Sequence, residues 1–124
     1  MNLLLDTHVL LWWLSAERLS PKARAAISSA DSSVWVSTAT VWELSIKSSL
    51  GKLRAPEDLA EQLAHHQFEV LPIGLTHALA VRSLPPLHAD PFDRMLVAQA
   101  QCDELVLVTR DKNVKRYAVE VLSA

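Results

Sequence analysis

Cysteine and glycine are scarce in this chain, and each shortage removes a class of chemistry. Cys102 is the single cysteine in 124 residues, so the chain can form neither an internal disulfide nor a thiolate metal cluster and fits the reducing cytoplasm. Two glycines, Gly51 and Gly74, cannot build a glycine-rich phosphate loop. The Gly-x-Ser-x-Gly elbow of a serine nucleophile is missing. The five histidines are dispersed and none is grouped with the cysteine, which disfavours zinc. A formal net charge of −2 argues against a surface that coats polyanions, while leaving room for a local basic strip beside an acidic pocket. No apolar run approaches the ~20 residues that cross a bilayer, so a soluble protein is expected. The stretch from Met1 to Leu14 is apolar but lacks a basic start and is interrupted by Asp6 and His8; it reads as core and not as a leader.

Half of the residues are hydrophobic, enough for one self-sufficient domain over residues 1–124. Short apolar runs alternate with helical patterns. Leu3 to Leu5 reads as a strand covered on both faces, with Thr7 capping a helix from His8 to Leu14. Ser20-Pro21 opens a second helix to about Ala30. Val34 to Ser37 is a β-branched and aromatic strand, and Thr38 caps a helix that ends near Gly51. A helix from Pro56 to about His66, a strand from Phe68 to Ile73 and a helix from Thr76 to Leu84 follow, closed by Pro85-Pro86. Asp90-Pro91 begins the next helix, Leu105 to Thr109 is the strongest strand signal, a short helix starts at Asp111, and Val119 to Leu122 is a last strand. This alternation predicts an α/β fold with a doubly wound parallel sheet flanked by helices, whose sites form at the carboxyl ends of strands.

Four carboxylates stand where strands end or helices begin: Asp6, Glu43, Asp93 and Asp111. Two such groups about 4 Å apart at an effective dielectric near 20 repel by roughly 4 kcal/mol, so a divalent cation is the natural companion. Mg²⁺ or Mn²⁺ suits a set of hard oxygen ligands from separate segments. Each residue also has a purely structural explanation. Asp6 could cap a helix, although Thr7 is the better cap. Glu43 and Lys47 form an i,i+4 pair worth ~0.2–0.5 kcal/mol, which taken alone is the better account of Glu43. Asp90 with Asp93 resembles a capping box with Asp in place of Glu. Asp111 is equally explicable as a cap until Asp6 is set beside it. Thr7 and Thr109 adjoin site aspartates, where a hydroxyl serves a ligand or nearby backbone equally well. Arg94 is placed to reach a phosphate or to pair with Asp90 on the surface. Arg110, Lys112, Lys115 and Arg116 form the densest basic stretch, a path for ligand phosphates or, for the last two, a solvated helix face. His65-His66 reads as structural, and neither His8 nor His88 is given a catalytic role. The four tryptophans read as core, except that Trp12 and Trp13 cannot both face inward on one helix, leaving one for a protein interface.

Asp6-Thr7-His8 after a leucine strand, Val41 to Lys47 followed by Leu50 to Leu53, His88 to Ala100, and Leu107 to Asp111 with the later Tyr117 together resemble the PIN-domain family, most closely its VapC-type toxin branch. The resemblance spans nearly the whole chain in the right order. It implies a metal-dependent ribonuclease in which Asp6, Glu43, Asp93 and Asp111 hold Mg²⁺ or Mn²⁺ and act catalytically, with 5′-phosphate and 3′-hydroxyl products. Asp90 falls to a neighbouring role, because many PIN domains carry only the later aspartate of this segment. The resemblance further implies a homodimer and a small cognate VapB-type antitoxin whose tail blocks the acidic site. The competing readings are a Mg²⁺-dependent phosphoacceptor or phosphatase domain and a catalytically silent binding module. The phosphatase version requires an aspartate two residues after Asp6, where His8 stands, and a receiver version requires paired acids near the first strand.

Overall fold

Leu3, Leu4 and Leu5 are wholly buried because their strand, β1 (Asn2–Leu5), lies in the middle of a five-stranded sheet with helices on both faces. The computed structural model describes residues 1–17 and 19–124. Its strands are β1, β2 (Ser33–Ser37), β3 (Glu69–Leu71), β4 (Val106–Thr109) and β5 (Val121–Ser123). They pair in the order β3-β2-β1-β4-β5, and every pairing is parallel. The helices are α1 (Thr7–Leu14), α2 (Pro21–Ser28), α3 (Thr38–Ser49), α4 (Leu59–His65), α5 (Leu75–Ala80) and α6 (Pro91–Asp103). The expected parallel α/β sheet is therefore present.

The two-residue period of a strand divides the core. Leu3 and Leu5 join Val34, Val36, Val106 and Val108 on one face, against Val9, Leu10, Ile27 and Leu44. Leu4 and Leu107 point the other way, onto Leu96, Val97 and Ala100 of α6 and onto Val114 and Tyr117. A one-residue slip would turn both sets to the wrong layer, so register is set by burial; Leu3 lies opposite Val34 and Leu4 opposite Leu107.

The chain winds outward from β1 to β3 in one direction and returns through β4 to β5 in the other. Strand order reverses between β1 and β4, and the crevice at their carboxyl ends is where ligands bind in such sheets. The Asp6 amide still donates to Val108 at 3.1 Å, so the ladder carries it to that crevice.

Several boundaries differ from the sequence reading. Asp6, not Thr7, caps α1, accepting from the Val9 amide. Ser37, not Thr38, caps α3 through the Ala39 amide. The helix expected from Pro56 starts at Leu59. Asp111 leads into a single 3₁₀ turn, Val114–Arg116, in place of a helix. Glu104, in left-handed conformation at φ 55°, ends α6 and returns the chain to β4. Among the described residues, no helix is long and apolar enough to cross a membrane.

Candidate active site

Asp6, Glu43, Asp90, Asp93 and Asp111 line one open cavity of about 350 Å³ at the β1/β4 crevice, with His8, Trp12, Lys47 and Arg110 around them. The four carboxylates expected from the sequence thus meet, each delivered by a different segment. Asp6 follows β1, Glu43 stands on α3, Asp93 occupies the first turn of α6 and Asp111 follows β4.

Every one of these carboxylates is held by a protein donor. Asp6 is buried; its Oδ1 accepts from the Val9 amide at 2.8 Å and its Oδ2 from the Thr109 hydroxyl. Thr109 Oγ1 accepts in turn from the Asp111 amide at 3.1 Å, tying the ends of β1 and β4 together. Glu43, also buried, accepts from the Thr7 hydroxyl at 2.6 Å on Oε1 and from the Lys47 ammonium on Oε2. Thr7 Oγ1 lies 3.3 Å from Thr40 Oγ1. Asp111 Oδ1 accepts from the Asn113 amide at 2.8 Å. Both threonine hydroxyls thus bond cavity carboxylates, and Thr109 serves nearby backbone as well.

Asp90 spends its Oδ1 as the N-cap of α6, accepting from the Phe92 and Asp93 amides at 2.9 and 3.0 Å. The Asp93 side chain, expected to complete a capping box, turns instead toward His88, whose Nε2 lies 3.5 Å from Asp93 Oδ2. Behind His88, Arg94 donates to the Tyr117 hydroxyl, and that hydroxyl lies 3.0 Å from His88 Nδ1. A tyrosine that accepts from Arg94 and donates to Nδ1 leaves the Nε2–H facing Asp93.

Arg94 does not line the acidic cavity. Its guanidinium donates to the carbonyls of Val81, Leu84 and Pro85 as well as to Tyr117, and so pins the turn before α6. Neither the phosphate role nor the pairing with Asp90 describes it. The basic stretch also divides. Arg110 reaches the cavity rim, where it donates to the Ala124 carbonyl and lies 4.3 Å over the Trp12 ring. Lys115 donates to Ser123 and Arg116 to the Leu87 carbonyl.

The crowding has an electrostatic signature. Burial raises the Asp6 carboxyl above its usual range, against the opposing pull of the Thr109 and Val9 hydrogen bonds, and the Asp111 charge adds to the rise. Burial first, and Asp90 second, push Asp93 up to about 7. The Lys47 ammonium is held protonated, chiefly by its hydrogen bond to Glu43. Among the described residues no three His, Cys, Asp or Glu side chains form a ready-made cation cage, consistent with carboxylates drawn onto protein donors. The set is nevertheless all hard oxygen, converging on a solvent-accessible cavity, and that chemistry fits Mg²⁺ or Mn²⁺ better than a softer ion.

His88 has no metal-ligand spacing to another histidine and so gives no sequence signal, yet it is the partner of Asp93, without itself lining the cavity. Lys47, which does line it, is visible in the sequence only as a helix pair. Trp12 and Trp13 are both partly buried and pack against the core; Trp12 also lines the cavity, and Trp13 lies near Phe68 and His66. Trp42, expected in the core, is 60% exposed.

Residues 3–120 match the family described as PIN domain. The chain is 33% identical to Ribonuclease VapC22 of Mycobacterium tuberculosis, an alignment covering 94% of this chain and 92% of that protein. Its fold is similar to that in VapBC2 from Rickettsia felis bound to a promoter DNA fragment, with a TM-score of 0.76 at 15% identity over 100% of this chain and 99% of that one. DNA-bound VapBC from Salmonella typhimurium gives a TM-score of 0.71 at 18% identity, covering 99% and 98%.

Proposed function

The chain belongs to the PIN-domain family, and from that premise we propose that it is a Mg²⁺- or Mn²⁺-dependent endoribonuclease, the toxin of a toxin–antitoxin pair. The observation that carries this reading is the convergence of Asp6, Glu43, Asp93 and Asp111 from four segments on one cavity at the switch point of the sheet. The relation to Ribonuclease VapC22 supports RNA as substrate.

Asp6, Glu43, Asp93 and Asp111 would hold the cation, with Asp90 beside them. When bound, the cation supplies Lewis-acid activation of a water and neutralises charge at the scissile phosphate. The remaining work falls to the chain. Thr109 and the Val9 amide orient Asp6, and Thr7 orients Glu43, so two carboxylates are fixed before any ligand arrives. Asp90, which lines the same cavity beside this set, would be at hand as a carboxylate to accept a proton from water. No histidine base is then required.

Solved structures of similar fold include VapBC complexes and a toxin-antitoxin complex from Klebsiella pneumoniae, which supports a VapB-type antitoxin as the protein partner, with part of it covering the acidic cavity. A homodimer is supported by the apolar face that exposes Trp42, Ile73, Leu75 and Leu79, since contiguous exposed apolar surface marks interaction sites. The lone exposed thiol, Cys102, suits action on cytoplasmic RNA.

The test is D6N beside wild type. Wild type should bind Mn²⁺ and cleave RNA, and EDTA should stop the cleavage. D6N should lose at least ~100-fold in cleavage rate, on the scale of removing one electrostatic stabiliser, while circular dichroism remains unchanged. A folded D6N protein with full Mg²⁺-dependent cleavage would falsify the assignment.

A further inference from the structure

Lys47 stands one turn beyond Glu43 on α3 and lines the same cavity as the aspartates. An i,i+4 pair on a helix surface usually has both partners in water and does little. Here the Glu43 side chain is only 4% exposed and Lys47 is 30% exposed. One end of the pair is fixed and buried, and the other is a flexible stem that reaches solvent. Both Glu43 oxygens are occupied, Oε1 by the Thr7 hydroxyl at 2.6 Å and Oε2 by the Lys47 ammonium. Thr7 is a neutral donor from the buried end of α1 and can remain while Oε1 ligates. The ammonium cannot, because two cations on one oxygen repel without intervening solvent. The other cation at the cavity, Arg110, is tied to the Ala124 carbonyl and stacked on Trp12. Lys47 is the one whose four-carbon stem allows its charge to move.

We infer that Lys47 is a tethered counter-cation: it occupies Glu43 Oε2 until a divalent ion takes that oxygen, and the released ammonium then binds a non-bridging oxygen of the RNA phosphate. Lys47 lines the same cavity as Asp90 and Asp111, so its tether holds the released ammonium at the cavity wall. This inference rests on the metal-dependent ribonuclease reading above.

Two measurements on wild type, K47M and K47R test it. The first is Mn²⁺ affinity by calorimetry without RNA. K47M, freed of the competing ammonium, should bind Mn²⁺ about 5- to 10-fold more tightly, and K47R should resemble wild type. The second is binding of a labelled mixed-sequence single-stranded RNA, followed by anisotropy with Ca²⁺ in place of the hydrolytic ions. With Ca²⁺, K47M should bind RNA about 5- to 20-fold more weakly, and its log–log salt slope should be shallower by about 0.7, the value of one single-strand phosphate contact. K47R should restore the slope. In EDTA the slopes of wild type and K47M should coincide. A lysine that merely supports the helix would lower the melting temperature slightly and move neither affinity, which overturns the inference; a change in only one of the two affinities overturns it as well. If wild type binds no Mn²⁺, the ribonuclease reading falls too. Wild-type binding with an unaltered K47M overturns the role of Lys47 alone.

Discussion

Asp6 uses its two oxygens for different partners, the Val9 amide and the Thr109 hydroxyl, and this division explains why an asparagine can replace it structurally. In D6N the amide oxygen keeps the α1 cap, while the new NH₂ meets a threonine oxygen that can accept. Folding no longer carries the cost of a buried carboxyl held above its usual range, so D6N should melt at or above the wild-type temperature in EDTA. T109V is the opposite case. It leaves Asp6 Oδ2 and the Asp111 amide without their partner, which should cost about 1–3 kcal/mol, read as a lower urea midpoint. Asp93 sets a pH dependence whose sign follows from its shift. Its carboxyl titrates at about 7 in the fold against 3.8 in the unfolded chain. Folding favours the neutral form, so this contribution to stability is complete below pH 3.8 and fades as the pH rises through about 7. Asp6 shifts in the same direction. In EDTA, D93N should therefore gain on wild type by a few degrees between pH 5 and pH 8. Parallel melting curves for the two proteins across that range would refute the shift.

The helices show how far local chemistry was legible. Ser20-Pro21 and Asp90-Pro91 both mark true starts, because a cap oxygen followed by proline leaves little alternative. Thr7 and Thr38 were each one residue late, since Asp6 and Ser37 are equally able to cap and sit at the point where the strand leaves the sheet. The capping role of Asp90 was readable in sequence; the failure of Asp93 to close the box was not, because His88 reaches it through a turn braced by Arg94 and Tyr117. A cap that is also a neighbour of the site gives two separable variants. D90A should lose about 1 kcal/mol with the α6 cap and lower cleavage by displacing Asp93. D90N should keep the cap and the melting temperature, while removing the charge that helps raise Asp93. Equal destabilisation by both variants, measured in urea, would show that Asp90 acts through its charge and not as a cap.

At the scale of the whole molecule, the order of strands and helices could be read from apolar periodicity, and the meeting of Asp6 with Asp111 followed from placing both after parallel strands. The meeting of Glu43 and Asp93 with them did not, since it depends on how α3 and α6 pack across the sheet. Nor did composition reveal the exposed apolar face. Tryptophan is usually core, but where α3 packs beside α6 Trp42 is left outward, edge-on to Phe92 at 5.3 Å. Leu75 and Leu79, 77% and 50% exposed, lie one turn apart on α5, and a hollow of about 310 Å³ between Trp42, Ile73 and Met95 continues the same face. A face of this kind is costly on an isolated chain and self-complementary across a two-fold axis. The double variant W42E/L79E places like charges on both sides of such an axis. It should convert a dimer of wild type to monomer in light scattering, with the monomer fold intact by circular dichroism. Because the acidic cavity is lined by residues of one chain, the monomeric variant should still bind Mn²⁺. A wild type already monomeric at high micromolar concentration would remove this face as a dimer interface.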